Sequence, residues 1–489
     1  MSLCDYPDTN KNCCCQIFST MSPKQLMQNT WIGGILELGS KVRYGITTHG
    51  TPIYRFVPYD RSLGPFAVGC SQRNSNVHAI VEYGKEYPEA KQLPRANLVQ
   101  ILGNPTAKSE LAILMATYAF DSKKELRIMS KNESVCISEE KLVCKGDGFT
   151  FHIDPPGCKD VDDSFTFLKT ETGWTISINI ADVAAYVKEG DSVDLMAKAK
   201  ATSFYSPTGS ILASMLPPHI EEAATLLPGQ PRLCFSLQFD WTEGQEPSNF
   251  RWLQTTTITN HSYTYDEADL ETREEMRALA SLTRQDNSHK WVETMMILYN
   301  THAGKRLREL GRGILRTHSQ PEQIKLDTWT NIDPELAFLA YESATFVSAS
   351  IRDKEPTHFG LSTGAYAYAS SPIRRYCDLV NQRILKGSDC VSVTNDELVQ
   401  HLNRRQKQAK AFSRDLFFMT ELKGSCVKGV VIEKKKEAFK VYVPVWKRVV
   451  KVRTLTEIPE IKTQVSLTWY LDMKTPFWKE RIVFHHTII

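Results

Sequence analysis

Four aspartates follow directly on a short apolar segment, and no other residues of the sequence are better suited to chemistry. Residues 149–153 alternate as a β-strand does, and the next ten positions contain Asp154, Asp160, Asp162 and Asp163. Two carboxylates about 4 Å apart repel by about 4 kcal/mol at an effective dielectric constant of roughly 20, so several of them converge only around protons or a cation. Because oxygen ligands favour Mg²⁺, with Mn²⁺ as the alternative, we expect these aspartates to bind magnesium.

The residues around the aspartates narrow the chemistry of the cluster. Pro155, Pro156 and Gly157 predict a tight turn that folds Asp154 back towards the other three carboxylates. No histidine or cysteine stands at zinc-ligand spacing, and the glycine and glutamate of an EF-hand calcium loop are missing. Metal ions held by carboxylates can activate water and stabilise the leaving oxygen of a phosphodiester. An acidic surface loop is the alternative interpretation, since aspartate is usually exposed.

A second cluster combines a helix-start signal with two arginines. Ser371 followed by Pro372 predicts the first turn of a helix, with the serine side chain capping the exposed amides. Arg374 and Arg375 would then lie in that first turn, where positive charge opposes the helix dipole. A phosphate bound at the helix N-terminus would explain this placement. An ion pair between Arg374 and Asp378, four residues later, is the simpler alternative.

Strand and helix patterns surround the two clusters. From Trp31 to about Pro105, short β-type runs separated by Gly, Pro and Asn predict a small barrel, with strands at Val42–Thr47, Ile53–Val57 and Val77–Glu82. Between about residues 121 and 415 strands and helices mix. Apolar periodicity there predicts long helices at about Ser288–Leu310 and Pro372–Lys386.

The C-terminal region resembles a nucleic-acid-binding barrel. Beyond Leu416 five short strands fall within about 70 residues, which suits an OB-type barrel. Residues 421–489 hold fourteen Lys or Arg and seven Asp or Glu, a net charge of +7 against +3 for the whole chain. Such an excess favours a polyanionic partner. Tyr442 and Trp446 are candidates for base stacking, with the barrel core as the alternative.

The composition of the chain argues against several other classes of protein. The 489 residues are 42% hydrophobic and 24% charged, no stretch approaches the roughly 20 apolar residues of a membrane helix, and the first residues lack a signal-peptide pattern. We therefore expect a cytoplasmic or nuclear protein with no membrane partner. The twelve cysteines show no Cys-x-x-Cys pair, which favours reduced thiols. The run Cys13-Cys14-Cys15 lies in a polar segment that we predict to be an unstructured tail.

Together these features resemble the catalytic RNB domain of ribonuclease II, ribonuclease R and the catalytic subunit of the eukaryotic RNA exosome, over roughly residues 31 to 489. The motifs are Ile-Asp-Pro-x-x-x-x-Asp-Val-Asp-Asp from Ile153, Ile-Asn-Ile-Ala-Asp-Val-Ala-Ala-Tyr-Val from Ile178, Ile-Leu-Arg-Thr-His from Ile314 and Ser-Pro-Ile-Arg-Arg-Tyr-x-Asp-Leu from Ser371. The resemblance implies an α+β multidomain fold, in which a mixed α/β catalytic domain is flanked by OB-type barrels. Its predicted parts are a polar tail (1–30), a cold-shock-like barrel and helix (31–120), the RNB catalytic domain (121–415) and an OB-type barrel (416–489).

The resemblance also implies residue roles and a reaction. Asp154, Asp160, Asp162 and Asp163 would hold the catalytic magnesium, and Arg374 would contact a phosphate near the RNA terminus. Four further residues would bind RNA: Tyr205, which helps to set the end product, Tyr265, which stacks on the last base, Ser371 and Arg375. Either tyrosine could instead be a packed core residue. The reaction implied is processive 3′ to 5′ hydrolysis of single-stranded RNA to nucleoside 5′-monophosphates, by a monomer or in association with an exosome-like assembly.

Several departures from the family pattern support a second hypothesis. One N-terminal barrel is predicted where the family usually has two, and the endonuclease domain of the exosome subunit has no counterpart. The stretch between Tyr265 and Ser288 is too short for the family's intervening strands, and Ser413 replaces a family glutamate. The alternative to an exoribonuclease is therefore an RNA-binding protein that keeps the fold but has lost turnover. The complete aspartate set favours the enzyme, because converging unpaired carboxylates are costly.

Overall fold

A computed structural model gives the conformation of most of the chain. It describes residues 31–73, 75–83, 93–119, 123–129, 148–350, 356–387, 396–420, 422, 426–454, 457–472, 475 and 477–489. The predicted tail, with Cys13-Cys14-Cys15, lies outside the described residues. The chain divides into two compact units, Met1–Arg127 with Phe412–Ile489, and Ile128–Ala411. The limits of the four predicted domains stay predictions.

The first unit begins with a closed five-stranded barrel. Its strands pair in the order β1-β2-β3-β5-β4, and β4 pairs back with β1. Gly34 allows a close approach inside the barrel, because a Cβ there would lie 2.4 Å from the carbonyl oxygen of Val57. The predicted strand at 42–47 is wrong: Ile46 forms only a single bridge with Pro52, and the exposed side chains of this segment have no core to pack against. The elements are β1 (Trp31–Leu36), β2 (Ile53–Pro58), β3 (Phe66–Gly69), β4 (Val77–Tyr83), β5 (Arg95–Gly103), and the helices α1 (Ala107–Leu114) and α2 (Lys123–Met129).

The second unit is built on a six-stranded mixed sheet in the order β12-β11-β8-β7-β6-β13. All neighbours are antiparallel except β6 and β13, which run parallel. One face carries large apolar side chains such as Phe151, Phe165 and Ile178, which are fully buried. The strands are β6 (Phe149–Ile153), β7 (Asp163–Lys169), β8 (Trp174–Ala181), β11 (Pro231–Trp241), β12 (Ser248–Ile258) and β13 (His261–Tyr263).

Short elements connect β8 to β11 beside the aspartate segment. Their apolar residues share one core with Val161, which lies within that segment. This core therefore anchors the backbone between the second and third predicted site aspartates. The elements are α3 (Ser192–Lys200), β9 (Phe204–Tyr205), β10 (Ile211–Ala213) and α4 (Pro218–Ala224).

Three helices cover the apolar face of the sheet. They are α5 (Tyr265–Leu270), α6 (Glu274–Thr283) and α7 (Ser288–Leu310), which contribute Met276, Leu279 and Met295 to the core. The predicted limits of α7 are confirmed. Asn287 caps its start by accepting the Lys290 N–H, and Gly311 ends it in the left-handed region at φ +63°, a common way to terminate a helix.

The remaining elements of this unit are β14 (Ile314–Thr317), α8 (Gln323–Ile332), β15 (Thr345–Ser348), α9 (Tyr376–Leu385) and α10 (Asp396–Thr420), whose last residues belong to the first unit. Nine of the ten residues of α9 are buried, and five of these nine belong to the apolar core. None of the described helices is long and apolar enough to span a membrane.

The chain ends in the five-stranded sheet β18-β17-β16-β19-β20. The five predicted C-terminal strands are confirmed. Tyr442 is 7% exposed and Trp446 packs against the barrel core, so the core interpretation of these two aromatics holds. The elements are β16 (Cys426–Lys435), β17 (Ala438–Val443), β18 (Arg448–Arg453), β19 (Gln464–Leu471), the short helix α11 (Trp478–Arg481) and β20 (Ile482–Ile488). The predicted α+β multidomain fold class is confirmed.

Candidate active site

Asp154 lies at the end of β6, where the sheet and a tight turn fix its backbone. Its N–H donates to the carbonyl of Tyr263 on the parallel strand β13, at 3.0 Å. The predicted turn follows: the Cys158 N–H donates to the carbonyl of Pro155 at 3.2 Å, and Gly157 takes φ +75°. The carboxylate is 23% exposed, and one of its oxygens lies 2.9 Å from Nδ1 of His152. Hydrogen bonds thus hold the backbone at Asp154, while its carboxylate is partly exposed.

Asp160 is held by contacts on both its backbone and its side chain. Thr225 clamps the segment, because its hydroxyl accepts the Val161 N–H at 3.0 Å and donates to the carbonyl of Lys159 at 2.8 Å. The Asp160 carboxylate accepts a hydrogen bond of 2.5 Å from the hydroxyl of Tyr205, on β9. Burial, and then the charge of Asp160, raise the pKa of Tyr205, so its phenol remains a donor. Tyr205 therefore lies in the candidate site, as predicted.

Asp162 joins the two clusters of the sequence. Its carboxylate is almost fully buried and accepts hydrogen bonds from the Ile373 N–H and from Nε of Arg374, both at 2.9 Å. Arg374 also donates through Nη2 to the Ser371 hydroxyl at 3.1 Å, while 44% of its side chain stays exposed. Burial raises the pKa of Asp162 to about 7, although Arg374 acts in the opposite direction. The structure thus brings together residues 212 positions apart.

Asp163 completes the group at the start of β7, where it pairs with Ile180. Burial, followed by the charges of Asp154 and Asp162, raises the pKa of Asp163 well above its usual value. Negative charge is therefore concentrated around this carboxyl. A bound cation would relieve that repulsion.

The predicted helix start at Pro372 is wrong, because α9 begins at Tyr376. Asp378 Oδ1 accepts the Ser371 N–H at 2.9 Å, whereas the predicted cap had Ser371 as the acceptor. Residues 371–375 form a turn instead, since the Arg374 carbonyl accepts the Ser203 N–H and Arg375 bridges Thr202. This pairing pulls the backbone out of a helical conformation. The two arginines consequently lie before the helix, outside its first turn.

Arg375 occupies a different environment from Arg374. Its Nη2 donates to Asp378 at 2.7 Å, so the alternative pairing of Arg374 with Asp378 is also wrong. Its guanidinium carbon lies 4.1 Å from the ring centroid of Tyr368, and that of Arg316 lies 4.6 Å from the same centroid. Only 24% of the Arg375 side chain is exposed. Its contacts are therefore mainly internal, and its predicted RNA-binding role stays a prediction.

Tyr265 is the first residue of α5 and lies close to the aspartates. Its ring stacks on His289 with centroids 3.6 Å apart and planes 10° apart. Burial, and then the charges of Asp154 and Asp163, raise the pKa of Tyr265 to about 12. One face of the ring is thus already covered by an imidazole.

Three further side chains, which the sequence patterns did not predict, contact or electrostatically influence the aspartates. His152 is almost fully buried behind Asp154, and Cys158 Sγ lies 3.6 Å from Asp160, so histidine and cysteine do border the cluster. Alternate residues of a strand share a face, and His152 two positions before Asp154 was therefore a readable signal. Glu221 on α4 had no such signal. Burial raises its pKa to about 7 against a hydrogen bond from Ser214, and the charges of Asp160 and Asp162 add to the rise.

The carboxylate oxygens of the aspartates are suitable donors for a hard divalent cation, although their arrangement in the structure does not form a metal site. Within the described ranges, no group of three or more His, Cys, Asp or Glu side chains is arranged to hold a metal ion. Both oxygens of Asp162 are engaged by the segment at 371–374. The remaining aspartate donors are oxygens, and the raised pKa of Asp163 marks unbalanced negative charge there. That chemistry suits Mg²⁺ or Mn²⁺.

Comparison with known proteins extends the motif resemblance. A family model described as the RNB domain matches residues 146–281 and 269–388. Exoribonuclease 2 of Aeromonas hydrophila is 26% identical over 349 residues, which cover 54% of this chain and 52% of that protein. The chain spans about half the length of the curated relatives it matches.

Solved structures share the fold at low sequence identity. Apo RNase R of Mycoplasma genitalium superimposes with a TM-score of 0.72 and 16% identity, over 94% of this chain and 90% of that one. Yeast Ssd1, a pseudonuclease, superimposes with a TM-score of 0.67 and 15% identity, over 90% of this chain and 68% of that one. Fold and family model agree with the motifs. Residues 146–388 are therefore an RNB domain, and the chain belongs to the RNB family.

Proposed function

We propose that this protein is a metal-dependent exoribonuclease that hydrolyses single-stranded RNA from the 3′ end and releases nucleoside 5′-monophosphates. The hydrogen bond between Asp162 and Arg374 carries the proposal, because it places a half-exposed guanidinium beside a group of aspartates. Arginine binds phosphate, and carboxylates bind the divalent ions that assist phosphodiester hydrolysis. These groups together suit a scissile phosphate.

Asp154, Asp160 and Asp163 would hold Mg²⁺, with Mn²⁺ as the alternative, and Asp162 would add to the site mainly by orienting Arg374. The bound metal would supply an activated water and stabilise the leaving 3′ oxygen. Arg374 is fixed by Asp162 and Ser371 on one side, so its exposed edge is available to a phosphate. Ser371 and Arg375 would shape the phosphate-binding turn from behind.

Two tyrosines would position the RNA terminus. Tyr205 is tethered to Asp160 through its hydroxyl, so its ring has a defined place beside the reacting group. Tyr265 already stacks on His289 and would use its other face to stack on the last base. Aromatic stacking on a base contributes roughly 1–3 kcal/mol without regard to sequence. An enzyme that degrades RNA stepwise needs contacts of this sequence-tolerant kind.

Relatives support the substrate class. Mycoplasma genitalium RNase R, whose fold this chain shares, forms complexes with single-stranded and with double-stranded RNA. We propose that this protein acts on RNA as a monomer in the cytoplasm or nucleus. One matched relative is named as an exosome complex exonuclease, at 23% identity over 39% of its length, and an exosome-like assembly is the partner we propose to test.

The second candidate function is an RNA-binding protein without turnover. Two observations favour it: the fold is shared with the pseudonuclease Ssd1, and Ser413 stands where the family motif has glutamate. Both candidates bind RNA. They differ only in whether the aspartates support hydrolysis, so a cleavage assay separates them.

The test uses single-stranded RNA labelled at either end, with Mg²⁺ or with EDTA. We expect the 3′ label to appear first as a mononucleotide and the 5′ label to shorten stepwise, only with metal. Asp163→Asn should lower the rate at least about 100-fold, the scale of losing a group that stabilises transition-state charge. Asp286→Asn, at an exposed aspartate of the same unit, is the matched control. RNA binding by the unsubstituted protein without metal-dependent cleavage would favour the binding protein. Equal cleavage rates for the two variants would reject the aspartates as the catalytic site.

A further inference from the structure

His152 lies directly behind Asp154 on strand β6. The two side chains are two positions apart and so project to the same side of the strand. Nδ1 of His152 is 2.9 Å from a carboxylate oxygen of Asp154. The histidine side chain is 2% exposed and the aspartate side chain 23%, so the imidazole is fixed by packing while the carboxylate reaches the candidate site. The buried imidazole can therefore orient the Asp154 carboxylate, rather than the reverse.

The donors and acceptors of the two side chains fix the direction of this hydrogen bond. An ionised carboxylate accepts only, so the hydrogen bond to Asp154 requires a proton on Nδ1. The other nitrogen, Nε2, is buried and has no hydrogen-bond partner among the described residues. A buried polar atom without a partner costs free energy. The hydrogen bond from Nδ1 to Asp154 therefore gives a reason for a histidine at this buried position.

Other polar side chains on this face of the sheet are satisfied by one another. Thr150, two positions before His152, shares a hydrogen bond of 2.8 Å with Thr166, and Thr166 accepts another from Asn179 at 2.8 Å. A hydroxyl would thus suit this face better than a ring with one unpaired nitrogen. His152 stands out because its only side-chain partner among the described residues is a site aspartate.

We propose that His152 is a positioning residue, which donates its Nδ1 proton to Asp154 and so holds the other carboxylate oxygen ready for a divalent cation. The inference rests on the proposed function, since it assigns Asp154 to that cation. Hydrogen bonds behind a metal ligand fix its rotamer and raise its affinity. Without His152, Asp154 must lose side-chain freedom each time the ion binds.

Mn²⁺ is the probe, and its binding is measured directly by the electron paramagnetic resonance signal of the free ion. We expect His152→Ala to weaken Mn²⁺ binding about 10- to 100-fold, the usual effect of losing such a partner. His152→Asn should recover most of the affinity, because its amide nitrogen stands close to the position of Nδ1. His152→Gln should recover less, because its amide lies nearer to Nε2. RNA binding in EDTA should not change in any variant.

Thr150→Val is the matched control. It removes a buried polar group from the same strand and face but does not touch Asp154. Its Mn²⁺ affinity should stay within about twofold of the unsubstituted protein. Thermal unfolding of each variant shows whether it folds, and if His152→Ala does not, the order of the Asn and Gln variants decides.

Three results would overturn the inference: no Mn²⁺ binding by the unsubstituted protein, equal affinity in His152→Ala, or an equal loss in Thr150→Val. The proposed function fails separately. Mn²⁺ binding that depends on His152, in a protein that does not cleave labelled RNA, would support the positioning role and reject the exoribonuclease. Cleavage of RNA with Mn²⁺ affinity unaffected by His152 would do the reverse.

Discussion

The two segments that form the candidate site keep their shape by different means. The segment from Asp154 to Asp163 leaves a strand, turns at Pro155–Gly157 and re-enters the sheet, so backbone pairing holds both of its ends. The segment from Ser371 to Asp378 has no sheet around it. Apart from a short backbone pairing with residues 202–203, it depends on two buried carboxylates. Asp378 accepts hydrogen bonds from the Ser371 N–H and from the Arg375 side chain, and Asp162 accepts them from the Ile373 N–H and the Arg374 side chain.

The two segments also differ in what holds their charged side chains in place. In the first segment the carboxylates are the candidate functional groups, and backbone amides with the Thr225 hydroxyl hold them. In the second segment the candidate functional group is the Arg374 guanidinium, and carboxylates of Asp162 and Asp378 hold its surroundings. We therefore expect the second segment to be more sensitive to loss of a single charge.

The largest expected effect follows from removing Asp378. Its side chain is fully buried, and its Oδ1 accepts two of the hydrogen bonds that shape the turn, from the Ser371 N–H and from the Arg375 side chain. Breaking a buried ion pair by deleting one partner costs about 3–5 kcal/mol. We expect Asp378→Ala to lower the free energy of unfolding by about that amount, measured by urea denaturation. Asp327→Ala, on an exposed helix face, should change it by less than about 0.5 kcal/mol. If Asp378→Ala lowered the free energy of unfolding by as little as Asp327→Ala, the contrast between the two segments would not hold.

A smaller effect is expected from the clamp on the first segment. Thr225→Val keeps the shape of the side chain but removes the hydroxyl that joins Lys159 and Val161. One buried N–H and one carbonyl would lose their partner, at a cost of about 1–3 kcal/mol in unfolding free energy. Because the clamp also places Asp160, hydrolysis should fall while RNA affinity in EDTA is kept. Thr225→Ser, which retains the hydroxyl, is the control, and a similar loss of hydrolysis in both variants would contradict the clamp.

The contrast between the segments also explains what the sequence could predict. Apolar periodicity predicts helix α7 at about residues 288–310, and the structure agrees, because the residues that end the helix, the cap at Asn287 and the stop at Gly311, act locally. The turn after Asp154 is equally local. The helix start at Pro372 was predicted wrongly, because two non-local contacts override the serine-proline signal: the bridge from Arg375 to Thr202 and the long-range pairing of Arg374 with Asp162.

Side-chain partners at long range were beyond reach for the same reason. No spacing rule connects Asp162 to Arg374, or Glu221 to the aspartates, since both depend on how α4 and the turn at 371–375 pack. His152 is different. Its position two residues before Asp154 on a strand was visible in the sequence, but zinc-ligand spacing does not detect a histidine that contacts a neighbouring aspartate.

The smallest expected effect concerns what an aromatic ring adds to the carboxylates that hold the second segment. The guanidinium carbons of Arg316 and Arg375 both lie over the ring of Tyr368, at 4.6 and 4.1 Å from its centroid. Cation–π contacts contribute about 0.5–2 kcal/mol, so Tyr368→Leu should lower the unfolding free energy by about 1 kcal/mol. Tyr368→Phe keeps the ring and should stay within about 0.5 kcal/mol of the unsubstituted protein. If both variants lose stability equally, the ring contributes nothing specific. The turn then depends on the carboxylates of Asp378 and Asp162, which would sharpen its contrast with the strand-anchored aspartate segment.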